Sequence, residues 1–106
     1  MDKEALFERR LGEGKHEIEG VITLRIRGYS RIEALELQAQ PDANGAVGDR
    51  WMLARCILHP VLTEDEIKVW QENSPPMEIQ AVCNAIRDLS GMGPGAAKSG
   101  VSGVRE

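Results

Sequence analysis

The sequence predicts an α+β fold, mainly helical, with an N-terminal β-hairpin packed on a small bundle of four to five short helices. Three observations predict it. Within the stretch 16–27, apolar and polar residues alternate strictly over 22–27. Two stretches open with capping boxes, Ser30 with Glu33 and Thr63 with Glu66. The stretch 75–90 carries an apolar stripe at helical spacing, bounded by a proline and a glycine. A chain of 106 residues makes one domain with a modest core, expected over 1–90.

In chain order, "MDKEALFERRLG" reads as a short helix over 2–12, with Asp2 as N-cap and Gly12 as a left-handed stop. The period then changes. Ile22, Leu24 and Ile26 alternate with Thr23, Arg25 and Arg27, the pattern of a strand with one buried face. Glu19-Gly20 separates "KHEI" from "VITLRI" and predicts a tight hairpin turn. A two-stranded ribbon is marginal in water, so it must pack on the helices. The arginines Arg25, Arg27 and Arg31 read as solvated charges on the ribbon's outer face.

A helix over 31–40 follows, opened by the Ser30/Glu33 box and stopped by Pro41. "DANGAVG" is a turn-rich loop. Asp49 then caps a helix over 50–58, apolar nearly all round except Arg50 and Arg55. A helix without a polar face belongs in the middle of a small domain. The next helix, 64–73, starts at the Thr63/Glu66 box, with Leu62 and Ile67 as a hydrophobic staple. In the last, 75–90, Ser74 caps, Pro75 suits the first turn and Gly91 is the stop. Ile79, Val82, Cys83, Ile86 and Leu89 share one face of it. Beyond, "GMGPGAAKSGVSGVRE" has no apolar period and is expected to be a flexible C-terminal tail over 91–106.

Charge and composition bound the function. The formal charge is −4, and residues 41–90 hold four basic against eight acidic residues. Such a chain has no footprint for bare phosphate backbones, so nucleic acid is not the expected partner. Only Phe7, Tyr29, Trp51 and Trp70 are aromatic, so the core must be mostly aliphatic. Cys56 and Cys83 form no C-x-x-C and sit on apolar faces, which fits buried thiols in a reducing compartment. No stretch suits a membrane span or export signal, and the expected location is the cytoplasm.

The densest gathering of reactive groups is "LHPVLTEDEIKVW" (58–70), which places His59 ahead of Glu64, Asp65 and Glu66. All three carboxylates fall in the first turn of a helix, where free amides and the positive end of the helix dipole favour them. Each has a structural job. His59 precedes Pro60 at an expected helix end and has no second ligand at usable spacing; His16 fares no better. "GMGPGA" (91–96) matches the loose dinucleotide pattern, but a helix precedes it where the motif needs a strand. "GAAKS" (95–99) lacks the glycine that a phosphate-binding loop needs before its lysine. No nucleophile, carboxylate pair, cofactor loop or metal set emerges, so neither enzyme activity nor a cofactor is expected. Two apolar residues fall outside their helices' expected core stripes: Leu37 about 140° from Ile32, and Val69 about 160° from Ile67. These are the candidate partner-binding residues, towards either a partner helix or a second copy of the chain.

The order of the motifs is familiar. A short N-terminal "LFERRL", then "EIEGVITLRIRGYSRIEALEL", "ARCILHPVLTEDEIKVW" and "AIRDLSGMGPGAAKSG" together resemble the tail assembly chaperones of long-tailed bacteriophages and related prophages. The resemblance covers nearly the whole chain. It is specific in the order of its motifs, each of which alone is a capping or packing signature. It implies a non-catalytic protein of the bacterial host cytoplasm that binds the tape measure protein, a long aggregation-prone helical chain. Its task would be to keep that chain soluble while the tail tube assembles. Such families often come in two forms, the longer made by frameshifting near the end of the shorter reading frame. A reading from a different class is a small regulatory or adaptor domain that binds DNA or a host protein; a basic recognition helix would favour it, and none is visible.

Overall fold

Period two does become a hairpin. In the computed structural model, which describes residues 3–8 and 11–91, β1 (Glu13–Ile18) pairs antiparallel with β2 (Ile22–Arg27), from Glu13 opposite Arg27 to Ile18 opposite Ile22. The Val21 N–H donates to the Ile18 carbonyl at 2.9 Å, and Gly20 takes the left-handed position of the turn at φ +77°. Glycine adopts that conformation without steric cost. Leu24 and Ile26 are buried while Thr23 and Arg25 are exposed, as the alternation requires.

A third strand was not expected. Residues Ile57–His59 (β3) pair antiparallel with β2, and the register shifts between Arg25 and Ile26, so β2 lies at the centre of a three-stranded sheet. The helix before it ends early as a result. Helix α2 runs Ala46–Cys56, not 50–58, and Asp49 lies inside it instead of capping it. Gly45 is the N-cap without a side-chain bond, and Asp42 supplies one from outside, its carboxylate accepting from the Val47 N–H at 3.3 Å. The Gly45 and Gly48 N–H groups both donate to the Asp42 carbonyl. Two glycines that read as loop therefore belong to a helix start, and a Cβ on Gly48 would collide with the Ala43 carbonyl.

Both capping boxes form. In α1 (Arg31–Gln38) the Glu33 N–H donates to the Ser30 hydroxyl at 3.2 Å and the Ser30 N–H to the Glu33 carboxylate at 3.0 Å. In α3 (Glu64–Asn73) the corresponding bonds between Glu66 and Thr63 measure 3.1 and 2.9 Å. Helix α4 (Pro76–Leu89) has Pro75 as its N-cap. Ser74 does not open it; its hydroxyl donates back to the Trp70 carbonyl at 2.7 Å and so closes α3. Gly91, at φ +81°, follows as the expected stop.

The expected helix over 2–12 is replaced, in its described part, by a single 3₁₀ turn at Lys3–Leu6. No residue of that turn is buried, and Leu6 and Phe7 are exposed. A short helix with nothing to pack on is not stable in water. Gly12 is not a left-handed stop; it lies against α4, where a Cβ would come 3.0 Å from the Leu89 carbonyl. Of the expected tail, 92–106 lie outside the described residues.

The core forms between the sheet's inner face and the helices. Leu24 and Ile26 meet Met52 and Leu53 of α2, Ile67 of α3, and Val82 and Ile86 of α4. Helix α2 packs on α1, α3, α4 and β3, while α4 also packs on β1 and β2. The arginines of α2 are accommodated at its surface: Arg50 donates to the Gln71 side chain, and Arg55 lies over the Trp51 ring. The core is aliphatic, with Tyr29 and Trp51 at its margin.

Candidate functional site: an apolar groove at the hairpin tip

A groove of about 390 Å³ opens where the hairpin turn faces the junction of α3 and α4. The ribbon supplies Val21, Ile22 and Leu24; the loop after β3 supplies Pro60 and Leu62; the helices supply Glu66, Trp70, Pro75 and Glu78. Each reaches the groove for a local reason. Ile22 continues the inner-face parity of Leu24 and Ile26 past the end of the core, so an apolar side chain emerges where nothing covers it. Val21 occupies a turn position and is 70% exposed. Glu66, Trp70 and Asn73 follow i, i+4, i+7 spacing and share one face of α3. The groove therefore has walls from three separate stretches of chain.

Its polar groups are few. The Trp70 indole N–H donates to the Glu78 carboxylate at 2.7 Å, which ties the end of α3 to the first turn of α4. Glu66 holds its capping bond to Thr63. Two exposed valines are sequence neighbours of lining residues: Val61, between Pro60 and Leu62, is 82% exposed, and Val69 is 57% exposed, one step round α3 from Glu66 and Asn73.

The two candidate partner-binding residues are not brought together on one surface by this arrangement. Val69 flanks the groove. Leu37 is half-buried and packs against the core, whereas Ile32 and Leu35 of the same helix are exposed. The expected core stripe of α1, drawn through Ile32, is thus rotated: Ala34 and Leu37 face inward.

His59 is exposed at the end of β3. Glu64, Asp65 and Glu66 occupy the first turn of α3, where Glu66 completes the capping box and also lines the groove, while Glu64 pairs with Arg55 at 3.5 Å. Among the described residues no group of three or more His, Cys, Asp or Glu side chains is placed to hold a metal ion. Cys56 and Cys83 are buried thiols. Burial pushes Cys83 up to about 12, and neighbouring Asp49, itself raised by burial, adds to the effect. Such a thiol is a poor nucleophile.

Arg27 departs from the expected solvated face. It is 8% exposed, and its guanidinium makes a two-pronged ion pair with Glu33, each N···O distance 2.9 Å. Arg25 pairs instead with Glu13 at 3.5 Å on the outer face. Arg25 and Arg31 are exposed as expected, and Arg27 is the exception.

Sequence reasoning missed the groove because its residues are scattered over 18–78. One signal was available: Val21 and Ile22 place two β-branched apolar residues at a turn, where polar residues are the rule. No known protein family, curated protein or solved structure matches the chain.

Proposed function

We propose that this protein is a non-catalytic tail assembly chaperone that holds apolar stripes of the tape measure protein in the groove at its hairpin tip. The observation that carries the reading is the uncovered apolar surface there: Val21 and Ile22 in the lining are exposed, and exposed Val61 and Val69 adjoin lining residues in sequence. An amphipathic helix laid into an apolar groove buries its i, i+3, i+4, i+7 anchors and no longer offers them to other chains. The ordered motifs that resemble the phage chaperones support the same reading, and tail assembly would place the protein in the bacterial host cytoplasm. Val69 belongs to the binding rim; Leu37 supports the domain from within. A groove that, among the described residues, is lined by two carboxylates and no base is a poor match for nucleic-acid phosphates.

Co-expression with the tape measure chain tests this. The wild-type protein should raise the soluble fraction of that chain. Val21→Glu with Ile22→Glu should abolish the effect while the domain keeps its melting temperature, since both side chains lie outside the core. A folded double variant that still solubilises the partner removes the groove from the mechanism. A partner whose solubility ignores the wild-type protein removes the chaperone reading itself.

A further inference from the structure

The groove is apolar but not uncharged, and its charge has one sign. Among the described residues, Glu66 and Glu78 are the only ionisable ones that line it. They flank Trp70: Glu66 lies one turn earlier on α3, about 6 Å along the axis, and Glu78 holds the indole N–H. Each carboxylate commits one oxygen, Glu66 Oε1 to the Thr63 N–H and Glu78 Oε2 to Trp70. The second oxygen of each accepts no hydrogen bond among the described residues, and neither carboxylate has an ion-pair partner there.

We infer that the groove takes a lysine or arginine on the partner's helix, seated at Trp70 between Glu66 and Glu78, with apolar anchors of the same helix against Val21, Ile22 and Leu62. This rests on the docking reading above and adds what the docked segment must carry. Tryptophan is the best aromatic partner for a cation. Two carboxylates beside apolar walls lose solvation when a helix covers them, and an opposite charge must then compensate. The chain already builds such a set internally: Arg55 lies 3.9 Å over the Trp51 ring and 3.5 Å from Glu64. Trp70 with Glu66 and Glu78 has the same two components, and the partner supplies the third.

The chain's two tryptophans give two indole N–H signals in a nitrogen-15 spectrum of the full-length protein, one buried at Trp51 and one in the groove at Trp70. Three helical peptides with identical leucine spacing are titrated in, carrying Arg, Gln or Glu at one flanking position. The Arg peptide should shift the Trp70 signal far more than that of Trp51, and bind roughly three- to tenfold tighter than the Gln peptide. The Glu peptide should bind weakest. The Arg preference should vanish in a Glu66→Gln, Glu78→Gln double variant, where glutamine can still accept both structural hydrogen bonds. High salt should erase the same preference in the wild-type protein, which tests the charge without any substitution. Equal affinity for the Arg and Gln peptides overturns the cation site while apolar docking stands. A Trp70 signal that no peptide moves overturns the docking reading with it. A signal that moves with protein concentration alone places a second copy in the groove and overturns both.

Discussion

Arg27 holds both carboxylate oxygens of Glu33, each at 2.9 Å, and the same carboxylate accepts the Ser30 N–H that opens α1. One glutamate therefore joins the last residue of the central strand to the start of the first helix. Arg27 also donates to the Gly28 carbonyl at 2.8 Å, so the connection between the two elements is fixed from both sides. The Arg27 hydrogen bonds lower the Glu33 carboxyl to about 2, and the guanidinium is raised in turn.

That depression makes stability depend on acid. A carboxylate whose folded value lies below its unfolded value stabilises the fold above the unfolded value, and the contribution fades as pH falls towards the folded one. For Glu33 the window runs from about 4.5 down to about 2. Urea titrations from pH 6 to 2 should show the wild type losing on the order of 2–3 kcal/mol more than Glu33→Gln across that window. Glutamine keeps the capping box but has no charge to lose. Parallel curves for the two proteins would show that the pair adds nothing.

Gly28 passes against the end of α4 with no space for a side chain. A Cβ there would lie 2.5 Å from the Leu89 carbonyl oxygen and 2.8 Å from the Ser90 nitrogen, both backbone atoms. Gly28→Ala should cost at least about 1–3 kcal/mol, as overpacking against an unyielding wall does. Gly14→Ala is the control, since its Cβ would meet only the Leu89 side chain at 3.7 Å. Thermal melts of the pair that coincide would refute the close approach.

Glu66 completes the capping box with Thr63 at the start of α3. Thr63→Ala should cost about 0.5–2 kcal/mol through loss of the cap. Zinc or magnesium should leave the melting curve of the wild type where it is. A saturable rise with zinc would restore His59 and its acidic neighbours as a ligand set.

Cys83, pushed up to about 12, should resist alkylation in the native protein at pH 8 and react only at the rate of unfolding. Thiol counting with and without urea measures this. Prompt native-state reaction of either cysteine would mean that α2 and α4 open more readily than their packing implies.

How much of this was legible depended on whether the signal was local. The two capping boxes and the period-two strand are short-range patterns, and all three formed where they were read. The start of α2 was not local: Gly45 and Gly48 look like loop residues until Asp42 is seen to cap the helix from outside. β3 was hidden because Ile57 and Leu58 continue the apolar run of the helix before them, and only pairing with β2 makes them a strand. Arg27 followed the polar parity of its strand, yet α1 folded over it and brought Glu33. On α1 itself, eight residues with a weak stripe left two choices of inner face, and packing on α2 chose Leu37 over Ile32. The groove is the extreme case, a property of three segments at once.

The contact that excludes a side chain at Gly28 also determines where the domain can be joined to anything else. Gly12 lies against the Leu89 carbonyl, and the Gly28 N–H donates to the Gly12 carbonyl at 2.8 Å, so the start of β1 and the finish of α4 share one corner. The hairpin tip and its groove lie at the far end of a ribbon about 20 Å long. A fluorophore, affinity handle or second protein joined directly at residue 12 or residue 91, in place of what lies beyond, is therefore attached at the end of the ribbon opposite the groove. Because Gly12 lies against Leu89, two residues before Gly91, a short linker between 12 and 91 would close the domain into a ring and allow it to be opened elsewhere, with the groove undisturbed.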